Sequence, residues 1–135
     1  MSDISDHGSP ELKKIEKHTG GRIMIKAISK PDWKLFQEKL PEWQENYMGR
    51  LLKEYVDLLN GSGNPSDRFW KLEKRIKDDK KDPGVQMRLD KGEAVWDIAC
   101  LVNRKVISRD DLKGFSAELI ESVNTLLDRF RSEED

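Results

Sequence analysis

The chain is short of the residues that staple or activate small proteins. It has one cysteine in 135 residues, Cys100, so no intrachain disulfide forms and the fold rests on packing alone. Cys100 lies in the apolar run 98–102 and reads as a small buried hydrophobe rather than a reactive thiol, since no cation neighbours it in sequence. There are only two histidines, His7 and His18, both in the first twenty residues. One cysteine and two such histidines do not complete a tetrahedral zinc site, and neither HExxH nor CxxC occurs. No metal and no cofactor is expected. The run 98–102 is the longest apolar stretch, far below the ~20 residues that span a bilayer, so no membrane association is expected. The start, Met1–Asp6, is acidic and unlike a secretory signal. With few cysteines and many charges the composition suits a reducing cytoplasm.

Phosphate-binding glycine loops are missing too. Gly61-Ser62-Gly63-Asn64-Pro65 opens a helix, but no GK[ST] follows, and no small-molecule substrate is evident. The net charge of −1 gives no global attraction to nucleic acid. Charge is nevertheless uneven: residues 63–92 carry nine Lys/Arg against six acids, and 93–135 carry six against ten. Such halves attract each other, within a chain or between two copies. Acidic pairs such as Asp78-Asp79 and Asp110-Asp111 fall on polar helix faces and read as solvated surface, so no enzyme activity is expected.

What is present is helical periodicity. Trp33, Phe36, Leu40, Trp43, Tyr47, Leu51, Tyr55 and Leu58 recur at intervals of three and four, the spacing of one helix face. Pro41 interrupts this stripe, removing a backbone donor at a cost of about 3 kcal/mol. The stripe therefore predicts helices 31–40 and 41–60 meeting at Pro41, or one kinked helix. Asn64 as cap and Pro65 at the first position predict a helix to about residue 80, with Phe69, Leu72 and Ile76 facing in. Asp82-Pro83-Gly84 is a turn signal. Further helices are predicted over 91–104, for one turn after Ser108, and over 117–131. A short helix is predicted over 10–18, and weak strands at 22–28 and 85–89 could pair. The fold class is all-α: a bundle of five to six helices with at most one two-stranded ribbon, 22–28 with 85–89. Residues 1–21 read as a flexible N-terminal segment, 22–131 as one helical domain and 132–135 as an acidic tail. Met24 is an alternative start, which would make residues 1–23 an extension.

The candidate binding residues lie on the helix 65–81: Trp70, Lys71, Lys74, Arg75 and Lys81. Trp70 is offset by about 100° from Phe69. Burial, widening the inner face, is the favoured reading; an exposed indole beside cations would instead anchor a partner. Acids at 67, 73, 78 and 79 interrupt the basic run. Residues 109–131, where a DNA-reading helix would sit, carry four basic and five acidic side chains, the wrong sign for phosphate.

The segments Lys30-Pro31-Asp32-Trp33-Lys34-Leu35-Phe36, Trp43-Gln44-Glu45-Asn46-Tyr47-Met48 and Gly63-Asn64-Pro65-Ser66-Asp67-Arg68-Phe69-Trp70 resemble small uncharacterised helical proteins of Gram-positive bacteria and their mobile elements. The resemblance covers about 24–130 and implies a bacterial cytoplasmic protein without an enzyme site. The expected function is a non-catalytic interaction or regulatory role, presenting a charged helical surface to a protein partner or a second copy. Nucleic acid bound by helix 65–81 is the alternative.

Overall fold

The computed structural model describes residues 12–15 and 23–134. Its elements are strands β1 (Leu12–Ile15) and β2 (Ile23–Lys26) and helices α1 (Lys30–Leu59), α2 (Pro65–Asp79), α3 (Ala94–Asn103) and α4 (Ala117–Glu134). Single 3₁₀ turns at Lys91–Glu93 and Arg109–Leu112 precede α3 and lie before α4. The described chain is mostly helical, as the periodicity predicts, but with four α-helices rather than five or six. Most of the segment 1–21 read as flexible, with both histidines, lies outside the described residues.

Three local expectations are decided. Of the two arrangements open at Pro41, the stripe takes the single α-helix. Phe36, Leu40, Trp43 and Leu51 are buried on either side of the proline, so both halves gain from remaining helical. Pro41 and Gln37 are exposed, so water can solvate the carbonyl that lost its donor. Second, residues 12–15 form a strand instead of part of a helix 10–18. They pair antiparallel with β2 in the register Leu12↔Lys26 to Ile15↔Ile23. Third, 85–89 is irregular, so the ribbon's partner strand is local rather than distant. Closing a short loop costs less chain entropy than bringing residue 25 to residue 87. Helix α4 also continues past 131 to Glu134, through three residues of the acidic tail.

The chain forms two compact units, Met1–Glu38 with Leu89–Asp135, and Lys39–Arg88. In the first, α4 packs on α3 and on β2. Its core contains Ile25, Phe36, Ile98, Leu101, Leu112, Val123 and Leu126, and Trp96 meets Phe130 edge-to-face at 5.0 Å. Cys100 is half-buried in α3. The N-terminus of α4 is anchored by a buried carboxylate. Asp32 accepts the Ser116 backbone N–H at 2.9 Å and its hydroxyl at 2.5 Å, while Ser116 Oγ accepts from the Leu119 N–H at 3.1 Å. Ser116 caps α4 and Asp32 supplies the negative charge that a helix N-terminus favours.

The corner after α3 is a Schellman motif. The Val106 N–H reaches the Leu101 carbonyl at 2.9 Å and the Lys105 N–H that of Val102 at 3.0 Å. Val106 and Ile107 then enter the core, and the Ser108 N–H donates to Asp111 at 2.8 Å. Lys105 occupies the left-handed position with φ 63°, where a Cβ is strained.

Two stability predictions follow from these anchors. Lys105→Gly is expected to raise the unfolding free energy by about 1 kcal/mol in urea titration, because glycine relieves the left-handed residue. Asp32→Ala is expected to lower it by about 2 kcal/mol, leaving the Ser116 donors without their buried acceptor. An unchanged urea midpoint would show that the respective anchor adds nothing.

Candidate functional site

The second unit is an antiparallel helical hairpin, the later part of α1 followed by α2. The turn between them follows the sequence signals closely. Helix α1 ends before Asn60-Gly61, and Gly63 has φ 111°, a conformation that needs glycine. Pro65 takes the first position of α2, and the Asn64 N–H donates to the Asp67 carboxylate at 3.3 Å. Arg68 reaches back to the Gly61 carbonyl at 2.8 Å.

The two helices are tied by polar groups. Arg75 forms an ion pair with Glu54 and donates through Nε to Asp79 at 2.8 Å. The Tyr55 hydroxyl donates to the same Asp79 oxygen at 2.6 Å, and the Arg75 guanidinium stands 5.5 Å from the Tyr55 ring centre. At the open end Tyr47 donates to the buried carboxylate of Asp82 at 3.1 Å, and Gln44 to the Pro83 carbonyl at 2.9 Å. Asp82 also accepts from the Gly84 N–H at 2.9 Å, fixing the predicted turn.

This clamp perturbs two of its members. Burial first, then the hydrogen bond to Asp79, pushes the Tyr55 phenol from 10.0 up to about 12. The hydrogen bond to Glu54 is the largest influence holding Arg75 protonated more firmly than usual. Both shifts are consequences of holding the hairpin together, so neither marks a reactive group.

Beside this polar seam, several apolar groups are left outside, although Trp43 and Leu51 are buried. No residue of α2 is buried. Phe69 is 60% exposed and Trp70 62%, stacked edge-to-face at 4.8 Å. This corrects the expectation that Phe69, Leu72 and Ile76 form a buried inner face and that Trp70 widens it; Leu72 is half-buried and Ile76 exposed. On α1, Leu52 is 61% and Val56 54% exposed, with Met48 and Leu59 exposed in line with them.

Antiparallel helices of one hand turn the residue after each facing position to the same side. Tyr47 and Glu54 face α2, and Arg68 and Arg75 face α1. Met48, Leu52, Val56 and Leu59 therefore share a side of the hairpin with Phe69 and Ile76. Sequence reasoning missed this face, although a signal was there. The stripe residues Tyr47, Leu51, Tyr55 and Leu58 are each followed by another apolar residue: Met48, Leu52, Val56 and Leu59. Such doublets make an apolar arc too wide for one neighbouring helix to cover.

Of the sequence-predicted site residues, Trp70, Lys71, Lys74 and Lys81 are exposed, and Lys74 pairs with Asp78 at 3.1 Å. Trp70 and Lys74, one turn apart, lie on the side of α2 away from α1. Arg75 does not join them; it is turned to α1 in the clamp. A cleft in the other unit, lined by Lys26, Ser29, Asp32, Ser116, Glu118 and Ser122, is occupied structurally: Lys26 pairs with Glu118 at 3.1 Å and Asp32 fills the anion position of α4. Among the described residues no group of three His, Cys, Asp or Glu side chains is placed to hold a metal, and no helix is long and apolar enough to cross a membrane. No protein-family model matches the chain, and neither a curated protein nor a solved structure matches it significantly.

The Tyr55 shift fixes the sign of a pH dependence. A phenol raised to about 12 from 10.0 contributes stability that is complete below pH 10 and disappears as pH rises through 12. Ultraviolet titration of the native protein is expected to show one late-ionising tyrosine. Tyr55→Phe should remove that step and cost about 1 kcal/mol at neutral pH. A wild-type titration without the late step would contradict the clamp.

Proposed function

We propose that this chain is a non-catalytic interaction or regulatory protein and that the α1–α2 hairpin is its working surface. One observation carries the reading: α2 buries none of its residues, and Phe69 stands in solvent on the same side of the hairpin as the exposed Leu52 and Val56, with Trp70 exposed on the outer side of α2. Large apolar patches on a folded surface are costly and mark places where something binds. Exposed tryptophan and phenylalanine are the side chains that give most to such contacts.

A nucleic-acid reading is supported by a separate feature. Trp70, Lys74 and Lys77 recur at four and three on the outer side of α2, which places an indole among cations. Arg75 is withdrawn from that set by its pairing with Glu54 and Asp79.

Capture of binding partners from source-cell lysate on immobilised protein, with and without nuclease, tests the reading. Leu52→Glu and Phe69→Ala are expected to reduce nuclease-resistant capture at least about tenfold, because both side chains lie on the exposed apolar side of the hairpin. Capture abolished by nuclease and by Lys71→Glu with Lys74→Glu, yet indifferent to Leu52→Glu, would select the nucleic-acid reading. Capture insensitive to all these changes would refute the hairpin as the working surface.

A further inference from the structure

We propose that Asn60, at the tip of the hairpin, is a site of spontaneous covalent modification. The Gly61 backbone nitrogen displaces ammonia from the Asn60 side chain, and residue 60 becomes a mixture of aspartate and isoaspartate. The reaction needs no partner, only water.

The chemistry sets three requirements. The asparagine amide must be free to turn, the next residue must have a backbone N–H to give up, and that residue must carry little bulk. The Gly61 nitrogen loses its proton to hydroxide and bonds to Asn60 Cγ. The Cγ–Nδ2 bond breaks, and the amide nitrogen leaves as ammonia with a proton from water. Water then opens the succinimide ring at either carbonyl. Opening between Cγ and the nitrogen gives aspartate. Opening between the backbone carbonyl and the nitrogen gives isoaspartate, whose main chain runs through Cβ and Cγ. The sum is asparagine plus water giving an acid plus ammonia, with no change of oxidation state.

Position 60 meets each requirement. Asn60 and Gly61 are both exposed, and among the described residues the Asn60 side chain has no hydrogen-bond partner. The Gly61 N–H is held by a 3.2 Å bond to the Leu58 carbonyl, at the long end of the usual range. The turn itself favours glycine here, because a Cβ at 61 would stand 3.3 Å from the Leu58 oxygen. The other asparagines each lack something. Asn64 precedes Pro65, which has no N–H to lose. Asn46 and Asn124 lie inside α1 and α4, and Asn124 accepts from Arg109 at 3.0 Å. Asn103 precedes Arg104, whose N–H is bonded to the Cys100 carbonyl at 2.9 Å.

One tie opposes the reaction at residue 60. Arg68 donates to the Gly61 carbonyl at 2.8 Å and so restrains the peptide that must turn for the ring to close. The product in turn strains the place where the hairpin reverses. It adds a carboxylate to the last turn of α1, which has no basic residue and already contains Asp57, at the negative end of the helix dipole. Isoaspartate also lengthens the main chain by one methylene just before the carbonyl that Arg68 holds.

Incubation of the folded full chain in heavy-oxygen water, then proteolysis and mass spectrometry, tests the proposal. Only acid formed during the incubation carries the heavy oxygen. The peptide containing Asn60 is expected to convert at least about tenfold faster than those containing Asn46, Asn103 or Asn124. Isoaspartate should accompany aspartate, and the rate should rise with pH, because the nucleophile is the deprotonated nitrogen. Arg68→Ala should raise the Asn60 rate at least about threefold and leave the other three as they were, the signature of a released turn. Conversion of Asn60 no faster than that of the other asparagines, or seen only in urea, overturns the proposal. Aspartate without isoaspartate, or a rate indifferent to pH, overturns the ring-closing route. An Arg68→Ala chain that converts at the wild-type rate overturns Arg68 as the restraint.

Discussion

Asp79 accepts two hydrogen bonds at one oxygen, from the Tyr55 hydroxyl and the Arg75 guanidinium, and Arg75 continues to Glu54. These bonds decide which way the hairpin faces. They occupy the line between α1 and α2 with charged and hydroxyl groups that need one another as partners. Met48, Leu52, Val56, Leu59, Phe69 and Ile76 are turned about a quarter-circle away from that line, while Leu51 stays buried and Leu72 half-buried. A hairpin closed by leucine against leucine would have hidden its apolar surface within itself. This one is closed by ions and keeps that surface for something else.

The energetics agree with such a division. Part-exposed ion pairs contribute little on their own, typically about 0–1 kcal/mol each, so the clamp is a poor source of stability. It is a better source of orientation. Arg75 with its planar fork fixes both carboxylates, and the Tyr55 ring beneath it restricts its rotation. The other unit is built the opposite way. There Phe36, Ile98, Leu101, Leu112, Val123 and Leu126 are fully buried, and polar groups serve to end and start helices. Asp32 holding Ser116 at the head of α4 is one such group, and the Lys105–Val106 corner after α3 is another.

Much of this was legible in the chain. Asn64-Pro65 and Asp82-Pro83-Gly84 were readable as a cap and a turn because their chemistry is local. Each works through backbone groups within a few residues. Helix type was legible where apolar residues recur at three and four over many turns. Pro41 left two arrangements open, because its local penalty of about 3 kcal/mol had to be weighed against what burial on both sides of it returns. The strand at 12–15 was invisible, because four residues have no period that separates strand from helix. The candidate site was half legible. Trp70 and the lysines were singled out, but Arg75 was grouped with them because sequence shows its charge and not its partner 21 residues earlier.

The sequence by itself determined the mostly helical class, the cap and turn around residues 60–65 and 82–84, and the absence of an intrachain disulfide, since these depend on residue type and spacing along the chain. Only the tertiary structure decided which apolar stripe lies inside. Tyr47-Met48, Leu51-Leu52, Tyr55-Val56 and Leu58-Leu59 offer α1 two equivalent faces. The choice between them was made by Glu54, Arg75 and Asp79, distant in sequence and adjacent in space. Those groups gain from meeting each other in the hairpin seam, and the second stripe is left to the solvent side.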